Sequence, residues 1–252
     1  MHYLISGQGQ PFIFQHGLSS NLQQAQQILS GLENIQLVSM DCPGHGQAPL
    51  PEGQLPSFGY YVDQVLRLMD HLSIEQTMVG GISMGSGIAL QLALRAPERV
   101  KALVLVRPAW LDQKHPDTLH ILAEAAKYLR QNEGLKHFKQ RPDFQEIAQS
   151  LPKAAESILG VFAETQGPKI STVLESMVRD RPFASMQALE EIQQPCLILA
   201  NEDDPLHPYS MAESIQKRLP NSRLERVISR YVDNDQHNKE VFQLVSKFIT
   251  TI

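Results

Sequence analysis

The segment Val79-Gly80-Gly81-Ile82-Ser83-Met84-Gly85-Ser86-Gly87 constrains this chain more than any other. It contains G-x-S-x-G with Ser83 at the centre. A short apolar run, Thr77-Met78-Val79, leads into it, and a helix-competent run, Ile88 to Leu94, leads out. A serine on a sharp turn between a strand and a helix has the setting of a nucleophile elbow, in which a strained backbone lifts Oγ above the end of a sheet. Gly81 and Gly85 are then the positions where a Cβ would collide with the neighbouring strand and helix.

Such a turn needs a sheet around it, and the chain supplies one. His2–Ile5, Phe12–Gln15, Gln36–Asp41, Ala102–Val106, Cys196–Ala200 and Arg223–Ile228 read as further strands. Val104-Leu105-Val106 and Leu197-Ile198-Leu199 are continuously apolar, as in parallel strands covered on both faces. Helices are expected over Asn21–Leu32, from Ser57 (a plausible N-cap) to Leu72, from the elbow to Ala96, over Tyr209–Leu219 and over Lys239–Ile249. Strands alternating with helices imply an α/β domain. The alternation stops after Pro108. From Trp110 to Ala188 only helical spacing remains: Leu119, Leu122, Ala126 and Leu129 share one face, Ile158, Val161 and Phe162 another, and Val173, Leu174, Met177 and Val178 a third. Residues 1–109 and 189–252 therefore form an α/β core, interrupted by a helical insertion at 110–188.

Composition narrows the function classes. The 252 residues are 42% hydrophobic with a formal net charge of -5. Without a Lys/Arg block, nucleic acid and anionic membrane surfaces are poor partners. Cys42 and Cys196 are too few and too far apart for a disulfide framework or a zinc site, so no metal is expected. No window reaches the roughly 20 apolar residues of a membrane span, and Met1-His2-Tyr3-Leu4-Ile5 lacks the features of a signal peptide. A cytoplasmic protein is expected. A nucleotide cradle at Gly80–Gly87 is disfavoured, because G-x-G-x-x-G is unmatched and no P-loop lysine is present.

A serine hydroxyl needs a base, and the base an orienting carboxylate. In the order Ser, Asp or Glu, His, the acid should follow the strand Cys196–Ala200, where Asn201-Glu202-Asp203-Asp204-Pro205 stands. Asp204, next to Pro205, is preferred, with Asp203 as its rival. The base should lie just before the last helix, which selects His237. His207 competes, but it lies on the same short loop as Asp204 and is expected to reach Ser83 poorly. Backbone N–H donors for an oxyanion are assigned to Met84, after the nucleophile, and to Leu18, in His16-Gly17-Leu18-Ser19. At the strand end before the insertion, Trp110 and Arg107 are expected to line the pocket, with Arg107 meeting a substrate carboxylate.

Together, His16-Gly17, Asp41-Cys42-Pro43-Gly44-His45-Gly46, Gly81-Ile82-Ser83-Met84-Gly85, Asp204-Pro205 and His237 resemble the α/β-hydrolase family across nearly the whole chain. Ala48 stands where a serine often follows the Asp-x-x-Gly-x-Gly turn. The resemblance implies an eight-stranded, mostly parallel sheet flanked by helices. It also implies a helical cap inserted after strand 6 and chemistry without a metal or organic cofactor. The implied activity is hydrolysis of a carboxylic ester, lactone or thioester of a small molecule through Ser83, His237 and Asp204. A carbon–carbon hydrolase or lyase acting on an acidic keto substrate is the alternative, and a non-catalytic small-molecule receptor a more distant one.

Overall fold

The computed structural model describes residues 1–162 and 167–252. Seven strands form one sheet: β1 (Tyr3–Gly7), β2 (Gln10–Gln15), β3 (Ile35–Met40), β4 (Thr77–Ile82), β5 (Val100–Val106), β6 (Cys196–Ala200) and β7 (Ser222–Arg226). Their spatial order is β1-β3-β2-β4-β5-β6-β7. β1 runs antiparallel to β3, and every other pairing is parallel. The described residues thus form seven strands where the resemblance implied eight. The helical insertion consequently follows the fifth strand rather than the sixth.

The two-residue strand period distributes the core. Phe12 and Phe14 face one side of the sheet with Ala102, Val104, Val106, Leu197 and Leu199. Ile13, Leu103, Leu105 and Ile198 face the other. The first face is covered by α1 (Gln23–Leu29) and α10 (Asn234–Ile249), through Ala25, Leu29, Val241, Val245 and Phe248. The second is covered by α2 (Phe58–His71), α3 (Met84–Arg95) and α9 (Tyr209–Gln216). Burying each large aliphatic side chain contributes roughly 1.5–3 kcal/mol, so burial on both faces fixes strand register.

Caps set the helix ends that matter for the site. Ser57 Oγ accepts the Tyr60 N–H at 3.0 Å and starts α2. Asp233 accepts the N–H groups of Asp235 and Gln236 at 3.1 and 2.9 Å, so α10 begins at Asn234 rather than at Lys239. That earlier start carries His237 off the loop and into the first turns of the helix.

Between β5 and β6 the described residues are helical: α4 (His120–Tyr128), α5 (Gly134–Phe138), α6 (Pro142–Ser150), α7 (Pro152–Leu159) and α8 (Gly167–Val178), with short 3-10 turns. Pro142 and Pro152 open their helices, positions where the missing N–H costs nothing. Leu119, Leu122, Ala126, Phe138, Val173, Leu174 and Met177 are buried in one apolar cluster with Trp110, continuous with the sheet core. Among the described residues, no helix is long and apolar enough to cross a membrane.

Candidate active site

The elbow forms as its glycines require. A Cβ on Gly81 would lie 2.6 Å from Gly85 Cα, and one on Gly85 would lie 2.3 Å from the Gln15 carbonyl oxygen. Only with both side chains absent can α3 start this close to β2 and β4. Ser83, the residue between β4 and α3, has φ 55° and ψ -110°, a conformation that costs a non-glycine residue on the order of 1–3 kcal/mol. The Ser83 N–H donates to the Val106 carbonyl at 2.9 Å. Ser86 Oγ donates to the Gly81 carbonyl at 2.8 Å. The turn is therefore tied to both β4 and β5.

His207, not His237, stands beside Ser83. His207 Nε2 lies 2.9 Å from Ser83 Oγ, and His207 Nδ1 lies 2.9 Å from Asp204 Oδ1. A carboxylate accepts, so Nδ1 carries the hydrogen and Nε2 offers its lone pair to the serine hydroxyl. The expected poor reach of His207 is overturned by the fold of its own loop. Asp204 Oδ1 also accepts the N–H groups of Leu206 and His207 at 3.1 and 3.2 Å. This Asx-type turn curls the chain back and swings the imidazole over the elbow.

His237 is buried on α10 with Nδ1 2.7 Å from the Ile228 carbonyl oxygen, which the ring N–H serves as donor. No hydrogen bond joins it to Ser83 or Asp204. The sequence expectation is corrected here: the Asp233 cap places His237 inside the helix, where it fastens the loop after β7. Burial, reinforced by the positive field of Arg107, lowers its pKa to about 4.

Asp204 is the acid at the site, whereas Asp203 is exposed and left-handed, with φ 54°. The second Asp204 oxygen accepts Arg107 Nη1 at 3.2 Å, in an ion pair buried on both sides. Burial pushes the Asp204 carboxyl up, but His207 and Arg107 outweigh it and hold it well below the usual carboxylate range. Burial lowers the His207 pKa. Asp204 opposes that shift, while Arg107 and Arg230 add to it. The imidazole is therefore neutral, and able to accept a proton, at pH 7.

Arg107 is shaped by the same junction. It has φ 48°, and its N–H donates to Leu199 at 2.7 Å. It lines the cleft as expected, but its guanidinium is engaged by a protein carboxylate. Trp110 also lines the cleft. Its indole N–H donates to the Met177 carbonyl at 3.2 Å, and its ring meets Phe58 edge-on at 5.3 Å.

Gly17, Leu18 and Ser19 form the rim of the cleft beside Ser83. The loop is set by His16, whose Nδ1 donates to the Gly17 carbonyl at 2.8 Å and whose Nε2 accepts the Cys42 N–H at 3.0 Å. The Cys42 end of that link is held by Asp41, which accepts the N–H groups of Leu22 and Gln47, each at 2.8 Å. Gly46 (φ 49°) follows, where a Cβ would strike the Asp41 carboxylate. Met84 opens α3, where the leading N–H groups have no acceptor within the helix. The cleft is narrow, about 70 Å³. The helical insertion contributes Leu119, Leu122, Ser157, Ile158 and Val161 to its wall, and the loop after β7 contributes Arg230 and Tyr231.

Three of these residues were not assigned by the sequence reading. His207 was visible as Asp-x-x-His but lost to the loop before the last helix. Arg230 and Tyr231 carried one signal, their position just past a parallel strand's C-terminal end, where α/β sheets bind ligands. Among the described residues, no three His, Cys, Asp or Glu side chains gather at metal-binding spacing.

Comparison with known proteins agrees with this architecture. Residues 10–231 match the family described as the alpha/beta hydrolase fold. The chain is 25% identical over 251 residues to a poly(3-hydroxyalkanoate) depolymerase of Ectopseudomonas oleovorans, covering 95% of this chain and 84% of the relative. It is 26% identical to 3-oxoadipate enol-lactonase 2 of Acinetobacter baylyi, covering 93% and 87%. Among solved structures, the enol-lactonase from Burkholderia xenovorans superposes with a TM-score of 0.77 at 20% identity, covering 99% of this chain and 96% of the other.

Proposed function

Because this chain belongs to the alpha/beta hydrolase fold family, we propose that it is a serine hydrolase of a small-molecule carboxylic ester or related acyl compound. Ser83 is the nucleophile, His207 the base and Asp204 the orienting acid. The observation that carries this reading is the Ser83 Oγ–His207 Nε2 contact of 2.9 Å, backed by the Asp204 contact of 2.9 Å on the other ring nitrogen. Relatives named as a depolymerase, an enol-lactonase and a pimeloyl-[acyl-carrier protein] methyl ester esterase support acyl chemistry.

His207 Nε2 takes the Ser83 proton as Oγ bonds to the acyl carbon. Backbone N–H groups of Leu18 and Met84 receive the oxyanion, each worth about a hundredfold to a thousandfold in rate. Collapse breaks the bond to the leaving oxygen, which takes the proton back from His207. Water, deprotonated by the same imidazole, then releases the acid and restores Ser83. Asp204 keeps the tautomer and stabilises the imidazolium. Helices of segment 110–188 act as the cap, supplying the apolar wall that excludes bulk water.

Ser83→Ala is expected to lower hydrolysis of an activated ester by on the order of 10⁵-fold or more while retaining the wild-type melting transition. A fluorophosphonate label should map to the peptide containing Ser83. Near-wild-type turnover by the variant, or labelling elsewhere, refutes the assignment.

A further inference from the structure

Arg230 is a cation in the Ser83 cleft for which the proposed cycle has no use. Around it, charge is otherwise settled. Arg107 is paired with Asp204, and burial holds His207 and His237 below the usual histidine range, so both are neutral at pH 7. Arg230 pairs with no carboxylate among the described residues, and its guanidinium lies 5.6 Å from the Tyr231 ring centre. Burial, then repulsion from Arg107, lowers its pKa, yet a guanidinium stays charged in a protein. A partly buried charge without a counter-ion is costly. Among the described residues, the cleft therefore holds two guanidinium groups against one carboxylate.

We propose that Arg230 binds a carboxylate on the substrate, so that the preferred ester of this enzyme is an anionic one. The planar fork of Arg suits a carboxylate in two-point contact. Much of the described wall is apolar, through Trp110, Leu119, Leu122, Ile158 and Val161, and its polar members Ser19, Gln24, Ser157 and Tyr231 carry no negative charge at pH 7. A cleft of about 70 Å³ suits a compact acid. His237 positions this device, because its bond to the Ile228 carbonyl anchors the loop two residues before Arg230.

The proposal rests on the serine hydrolase reading, and the test separates the two. Monomethyl succinate is compared with methyl pentanoate, its uncharged near-isostere. The wild type should favour the anion in kcat/KM, and Arg230→Gln should reduce that preference about 10- to 100-fold, chiefly through KM, with Arg230→Lys recovering part. In parallel, the Ser83→Ala protein is titrated calorimetrically with monomethyl succinate. Adding Arg230→Gln should weaken Kd by a similar factor. Equal loss on both esters, an unchanged ratio, or no binding of monomethyl succinate to Ser83→Ala overturns the carboxylate site. If the wild type hydrolyses neither ester yet Ser83→Ala binds the anion through Arg230, the hydrolase reading fails and the site stands.

Discussion

Two neighbouring loops leave the C-terminal ends of β6 and β7, and they divide the work unequally. The loop after β6, residues 201–208, holds both the acid and the imidazole: Asp204 accepts from Leu206, His207 and the His207 ring, and the ring reaches Ser83. The loop after β7, residues 227–233, brings Arg230 and Tyr231 to the same cleft, and its histidine neighbour His237 points its Nδ1 at a backbone carbonyl. In the proposed cycle one short loop supplies both the base and its orienting acid, because the carboxylate itself folds the turn. The proposal gives the adjacent loop substrate recognition instead of proton transfer.

Exchanging the two histidines as targets is the sharpest way to break this contrast. His207→Ala should cost on the order of 10⁴-fold or more in kcat, because the serine loses its base. His237→Asn keeps a donor for the Ile228 carbonyl and should stay within about tenfold. Steady-state rates on an activated ester decide the matter, and the reverse ranking would return the base to α10.

A smaller effect tests the field inside the first loop. The acid limb of kcat/KM reports the free enzyme's base. Activity should rise with pH through a midpoint below the ordinary histidine value, because neutral imidazole is the working form and burial lowers its pKa. Arg107 adds to that lowering, so Arg107→Met should move the limb to higher pH. A limb that stays in place or moves down contradicts the assigned coupling. Least in magnitude, Asp233→Ala removes the α10 cap and should cost about 1 kcal/mol of stability. Chemical denaturation measures it, and no loss would show that another group starts the helix.

Local chemistry accounts for what could be read from the chain beforehand. The elbow was legible because two glycines, a serine and flanking apolar runs must coincide for the turn to exist. The parallel strands were legible because burial on both faces demands unbroken apolar residues, as in β5 and β6. Asp204 was preferred for its strand-end position, and it lies at the site while Asp203 does not. The start of α10 was misjudged because Asp233 outcompeted the expected boundary by accepting two N–H groups. The strand count was misjudged because it came from resemblance rather than from any pattern in the residues.

The sequence by itself determined an α/β sheet, its helical interruption and the serine that crowns β4, since each follows from periodicity or from steric demands within a few residues. Only the tertiary structure decided which histidine meets that serine and which cleft arginine lacks a carboxylate partner among the described residues. Those outcomes depend on how side-chain hydrogen bonds curl two loops in space, with Asp204 folding one and His237 pinning the other. Spacing along a chain does not encode a loop's direction.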